Sequence, residues 1–231
     1  MDVRTQILDA ATRLFASQGV GATSIGAIAD EVGIKKPSLL YHFPSKDELH
    51  RAVIDRVIGH FRDVLPRLLS AAASERFEAL LHATVDFFLE EPDRARLLLR
   101  EALDRPDAMR AQLKSGVAPW IDVLAAQIEQ GQAAGVLRAD VDPQAYLLQV
   151  IHLIVASVAT ADTLGALLGE RGKSDRARLI RELERLARTS LFSPAELSRT
   201  SASRTSASRT SASRTSTAGE AERPRKRASR A

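Results

Sequence analysis

Apolar side chains recur along this chain at intervals of three and four residues, and no stretch shows the apolar–polar alternation of a half-buried strand. The spacing predicts an all-α protein. Ile7, Leu8, Ala11, Leu14 and Phe15 form one stripe with acidic and polar residues opposite, a first helix that stops at "SQGVGAT", where two glycines break it. A short helix follows from Ser24, with Ile28, Ala29 and Val32 turned inward. It bends at Gly33, where a left-handed backbone costs glycine little. The next short helix has Leu39, Leu40 and Phe43 as apolar anchors. Its Pro37 falls in the first turn, where amide donors lack partners anyway. In "PSKDE", Ser45 and Glu48 match the S-x-x-E capping box and open a fourth helix.

A longer helical body follows, with breaks expected at Pro66, Pro92, Pro106 and "GQAAGVLRADVDP", where Asp142 caps the next helix and Pro143 fills its first position. The segment "PQAYLLQVIHLIVASVATADTLGALLG" is the most apolar in the chain. Gln149, His152, Thr160 and Asp162 interrupt it, so it reads as a buried helix rather than a membrane span, which needs roughly 18 uninterrupted apolar residues. Its small residues Ala156, Ser157, Ala159 and Ala161 permit close approach, and Leu179, Leu183, Leu186 and Leu191 stripe the helix after it. Two such helices are half of a four-helix bundle. A twofold partner would complete it, so a homodimer is expected, with packing inside one chain as the alternative.

Composition changes the picture mainly at the C-terminus. The net charge of +4 divides unevenly: residues 193–231 hold nine Arg or Lys against three Glu, leaving residues 1–192 with 24 basic and 26 acidic side chains. The basic character therefore belongs to a tail in which SRTSA runs three times from Ser198, followed by SRTST and "AGEAERPRKRASRA". Such a stretch cannot bury a core, and residues 193–231 are expected to be a disordered basic low-complexity tail. With no cysteine, disulfides and thiolate metal sites are excluded, and the five histidines show no metal spacing, so no cofactor or metal is expected. The N-terminus offers no apolar signal core, which points to an untargeted cytoplasmic protein without a membrane partner.

Two short helices joined by a glycine turn and backed by an amphipathic one form a helix-turn-helix, whose second member enters a major groove. With Leu39 and Phe43 inward, Lys35, Lys36, Ser38, Tyr41 and His42 remain for the outer surface, donors that face phosphate and base edges. Residues 1–50 carry five basic and six acidic side chains, so DNA contacts must be focused rather than spread over a basic face. The stretch "ILDAATRLFASQGVGATSIGAIADEVGIKKPSLLYHFPSKDEL", Ile7 to Leu49, resembles the TetR family of transcriptional regulators. The resemblance implies a helix-turn-helix over 24–43. Lys36, Pro37 and Ser38 would then lie near base edges, Tyr41, His42 and Lys46 on backbone phosphates, and Thr23 and Ser24 on phosphate at the start of the second helix. Lys35 stands where the family often has a capping serine, so a weaker helix start is expected there.

The resulting organisation is a DNA-binding head over 1–61, joined to a larger helical bundle over 62–192 that holds the effector and the dimer contacts. The resemblance also implies a palindromic double-stranded operator and an effector pocket among the C-terminal helices. His82, Phe87, Phe88, Trp120 and His152 are its candidate walls, and a small hydrophobic effector is favoured because aromatic residues are scarce. No G-x-S-x-G elbow, H-E-x-x-H helix or P-loop is present, which argues against an enzyme. The leading reading is a repressor released by its effector. The alternatives are a DNA-organising protein of the same fold and, far behind, an enzyme using a buried His and carboxylate.

Overall fold

A computed structural model describes residues 2–68, 73–168 and 173–195, with backbone alone at 61–68, 73–76 and 173–175. In chain order the helices are α1 (Val3–Gln18), α2 (Ile25–Val32), α3 (Lys36–His42), α4 (Lys46–Leu68), α5 (Ala73–Glu90) and α6 (Pro92–Asp104). They continue with α7 (Pro106–Gly116), α8 (Ala118–Ala133), α9 (Pro143–Ala159), α10 (Ala161–Gly165) and α11 (Lys173–Leu191). The described residues contain no strand, only an isolated bridge between Leu137 and Phe192. The all-α architecture expected from the spacing is the one observed.

Each boundary in the head has a local cause. Ser24 Oγ accepts the Ala27 N–H at 3.0 Å and starts α2. Gly33 ends it at φ 77°, and the amides of Gly33 and Ile34 donate back to Asp30 and Ala29. Lys35 gives α3 no side-chain cap, as its substitution for a small polar residue implied. Ser45 Oγ accepts the Glu48 N–H at 3.1 Å, while the Glu48 carboxylate makes no return bond, so half of the capping box forms. Ile7, Leu8, Ala11, Phe15, Ile28, Ala29, Leu39 and Phe43 then close a common core. Leu40, expected as a third anchor of α3, is only half-buried, because seven residues present one inward face and Leu39 occupies it.

Farther along, three expectations need correction. First, α4 runs through Pro66 to Leu68 without the expected break. The buried stripe Leu49, Val53, Val57 and Ile58 carries the helix upstream, and proline lacks a donor only where α4 is about to end. Second, the long apolar segment is not one buried helix. It breaks at Thr160 (φ −108°, ψ 8°), whose hydroxyl donates to the Ala156 carbonyl at 2.7 Å, and it leaves His152, Leu153, Leu164 and Leu167 exposed. Third, the buried face of α11 is Ile180, Leu183, Ala187 and Leu191, which leaves Leu186 exposed. The breaks at Pro92 and Pro106 occur where expected, and Asp142 Oδ1 accepts the Ala145 N–H at 2.9 Å to start α9. Of the expected tail, Ser193 is tied to the body by its amide on the Val136 carbonyl at 3.1 Å, and everything beyond Ala195 lies outside the described residues.

Head and body share structure across residue 61. α4 passes that point unbroken, and Leu97 of α6 is part of the head's own core. Gly19, at φ 85°, lies so close to α6 that a Cβ there would sit 2.8 Å from the Arg100 guanidinium. The joint is fastened by His50 of α4, 5% exposed, and Glu101 of α6, 2% exposed, at 3.0 Å between Nε2 and Oε2. The Arg105 guanidinium, a donor only, lies 3.0 Å from His50 Nδ1. That contact fixes the neutral tautomer: Nδ1 accepts from Arg105 and Nε2–H donates to Glu101.

Burial, with Arg105 adding to it, lowers the His50 pKa from 6.5 to about 4, while burial raises that of Glu101. Between those two values the unfolded chain takes up a proton that folded His50 refuses, so this residue makes stability fall as pH is lowered from 6.5 toward 4, by roughly 3 kcal/mol at most. Glu101 acts in the opposite sense, its contribution being lost as pH rises through its folded pKa. His50→Gln should therefore flatten the acid side of the stability–pH curve. Urea midpoints measured from pH 7 to pH 4 check this, and an unchanged slope in the variant would contradict it.

Candidate functional site

The head presents α3 outward. Its inner face is used by Leu39, and Phe43 closes its end, so Lys35, Lys36, Pro37 and Ser38 are all exposed and Tyr41 is 86% exposed. Neither lysine makes an ion pair among the described residues. Two of the head's acids are held by arginines: Arg13 holds Glu31 through two bonds of 2.9 and 2.7 Å, and Arg56 holds Asp9 at 2.6 Å. In a head that is acid-rich by count, α3 thus exposes two lysines side by side at its start. His42 is half-buried, edge-on to Tyr41 with ring centroids 5.5 Å apart. Ser24 is exposed, its oxygen capping α2 and its proton left free for an outside acceptor.

Two of the expected phosphate contacts have other duties. Thr23 is 1% exposed, and its hydroxyl donates to the Gly19 carbonyl at 2.8 Å, so its side chain supports the α1–α2 turn. The Lys46 ammonium donates to three backbone carbonyls, Val20 at 2.9 Å, Thr23 at 3.1 Å and Gly21 at 3.3 Å. All three of its protons are used inside the protein. Lys46 therefore fastens the loop before α2 to the start of α4. Spacing alone gave no sign of this, because the loop it reaches lies more than twenty residues back in sequence.

One residue was missed. Arg4, exposed at the start of α1, lies with its guanidinium 5.0 Å from the centroid of the Phe43 ring, beside the end of α3. A lone arginine in an N-terminal turn carries no pattern, and only the fold brings it to the reading face.

The body encloses an apolar cavity of about 130 Å³. Phe88 and Trp120 line it, together with Ile58 of α4, Leu98 of α6 and aliphatic residues of α8 and α9. The other three expected wall residues do not. His82 is exposed, 3.8 Å from Glu184; His152 is on the outer face of α9; Phe87 stacks on His60 at 3.9 Å. The reason is helical phase: Phe77, Leu81, Thr84 and Phe88 share the inward face of α5, which excludes positions 82 and 87. The cavity's two hydroxyls are both used, Thr84 donating to Leu80 at 2.8 Å and Tyr146 to the Ala187 carbonyl, and burial raises the Tyr146 pKa. Among the described residues, no charged side chain lines it.

An exposed helix-turn-helix on a helical body with an internal apolar cavity defines a class of DNA-binding regulator. Residues 7–53 match the family described as "Bacterial regulatory proteins, tetR family", and residues 74–186 match "Tetracyclin repressor-like, C-terminal domain". The chain is 30% identical over 151 residues to the HTH-type transcriptional repressor KstR2 of Rhodococcus jostii strain RHA1, which covers 60% of this chain and 70% of that protein. It is also 30% identical over 151 residues to the HTH-type transcriptional regulator RutR of Escherichia coli K12, covering 62% and 68%. Among solved structures, a transcriptional regulator from Saccharomonospora viridis in complex with choline superposes with a TM-score of 0.59 at 25% identity, covering 82% of this chain and 97% of that one. The chain belongs to the TetR family and is a DNA-binding transcriptional regulator. Among the described residues no single helix is long and apolar enough to cross a membrane; α9 and the segment to Leu168 qualify only together, across a 70° bend.

The distinct duties of Lys46 and Tyr41 separate in stability measurements. Lys46→Met should destabilise the chain by roughly 1–3 kcal/mol through the loss of charge-assisted bonds to the loop, while Tyr41→Ala should leave stability within about 0.5 kcal/mol. Urea denaturation of both variants checks this.

Proposed function

We propose that this chain represses transcription as a homodimer on a palindromic operator and is released by a small, largely apolar effector. The observation that carries this reading is that α4 and α6 each take part in two places at once. Ile58 and Leu98 line the cavity, while His50 and Glu101, on the same two helices, fasten the head. An occupant that moves Ile58 relative to Leu98 must either strain the His50–Glu101 joint or tilt the head with it. Two heads reading successive major grooves need their recognition helices about 34 Å apart, and a tilt in each moves both off register. The two states, with and without effector, then differ in DNA affinity by linkage.

On the head, Lys36 and Ser38 face base edges, while Tyr41, His42, Lys35, Ser24 and Arg4 meet phosphates; Thr23 and Lys46 hold the scaffold. The dimer forms on the apolar residues left exposed between α9 and α11, among them Leu153, Leu164 and Leu186. The names of the relatives support repression and a small-molecule signal, and the cavity's wall supports an apolar one.

Selection from a random duplex pool tests the DNA half: the enriched site should be a palindrome bound by a dimer. Lys36→Ala with Tyr41→Ala should then weaken binding roughly tenfold or more at physiological salt without lowering the melting temperature. A non-palindromic site, or undiminished binding by the double variant, would overturn the assignment. Trp120, the chain's sole tryptophan, lines the cavity, so an effector that enters should change its emission at the concentrations that release the selected DNA.

A further inference from the structure

We propose that the cavity continues into an open groove beside α7, and that together they take an amphiphile: an apolar body inside, and an anionic head group on Lys114. This rests on the reading of the cavity as the effector site and adds the chemistry of its ligand.

Size is the first argument. An apolar cavity of about 150 Å³ accommodates a benzene-sized guest, whereas ligand sites usually span about 300–1,000 Å³. At about 130 Å³ the enclosed space holds only part of a typical effector. The groove adds about 500 Å³, and Met109, Leu113, Val117 and Ile121 belong to both, so the wall of one is the floor of the other. Met109 is an adaptable residue to have at that junction, being unbranched and easily rearranged. Leu113 and Leu148, the latter 54% exposed, continue the apolar surface into the groove.

Charge is the second argument. Inside, both hydroxyls are engaged and nothing compensates an ionised group, so a charge on the ligand must stay outside. The groove carries three charged residues. Arg110 is paired with Asp107 at 2.7 Å, while Asp122, on α8, accepts from the Gln144 amide at 2.9 Å and keeps its charge. Lys114, exposed in the last turn of α7, makes no ion pair among the described residues. Among the described residues of the groove, Lys114 is the cation without an ion pair, and at the mouth of an apolar cavity it is complementary to a carboxylate, sulfate or phosphate at the end of an apolar chain.

Three ten-carbon probes differing only in head group distinguish the possibilities, read by Trp120 emission at pH 8 with helix content followed by circular dichroism: decanoate, 1-decanol and decyltrimethylammonium. Decanoate should bind about fivefold to tenfold more tightly than decanol at low salt, and the cationic probe most weakly. Lys114→Ala should abolish the decanoate advantage while leaving decanol affinity unchanged, and raised salt should shrink it in the wild-type chain. Equal affinity for the three probes, or an equal loss for all three in Lys114→Ala, would overturn the proposal. Failure of every probe to change Trp120 emission would overturn the reading of the cavity itself, and this one with it.

Discussion

A seven-residue helix is too short to persist alone, so α3 exists because Leu39 and Phe43 are buried against α1 and α2. That burial decides everything the head offers to DNA. Once Leu39 is inside, helical geometry places Lys36, Ser38 and Tyr41 on the far side, and Gly33 sets the angle at which they project. The Thr23 hydroxyl and Lys46 ammonium hold the preceding loop, and through it the position of α2. The reading face is thus built of residues with no internal duties, supported by polar residues that have nothing else to do.

The same economy links the head to the body. α4 is one unbroken helix from Ser45's cap to Leu68, and α6, tied to it through His50 and Glu101, has Leu97 in the head's core and Leu98 in the cavity wall. Neighbouring positions on α6 therefore serve separate ends of the molecule. His50, Glu101 and Arg105 form a polar joint with a defined tautomer and a buried carboxylate whose second oxygen has no hydrogen-bond partner. A joint of that kind tolerates little displacement before its bonds break.

Much of this was legible in the sequence, and the limits follow from what periodicity encodes. Helices with strong punctuation were read correctly: Ser24, Gly33, Pro92, Pro106 and Asp142 each act locally, within three or four residues. Long-range commitments were not legible. Lys46 looks like a surface lysine until the fold brings Val20, Gly21 and Thr23 under it, and Arg4 has no significance until Phe43 lies beneath it. In the body, aromatic and histidine side chains are the conspicuous candidates for cavity walls in the sequence. The actual wall is mostly aliphatic, and helical phase decided which aromatics joined it, admitting Phe88 and excluding its neighbour Phe87. Thr160 ended α9 through a hydroxyl bond to its own helix, a competition that composition alone does not reveal.

The most direct measurement is a structure of the chain bound to duplex DNA carrying its selected site. The account predicts two copies related by a twofold axis, each with α3 in a major groove, Lys36 and Ser38 toward base edges, and recognition helices about one helical turn, roughly 34 Å, apart. A complex in which α3 faces away from the duplex, or in which a single head contacts DNA through another surface, would contradict it.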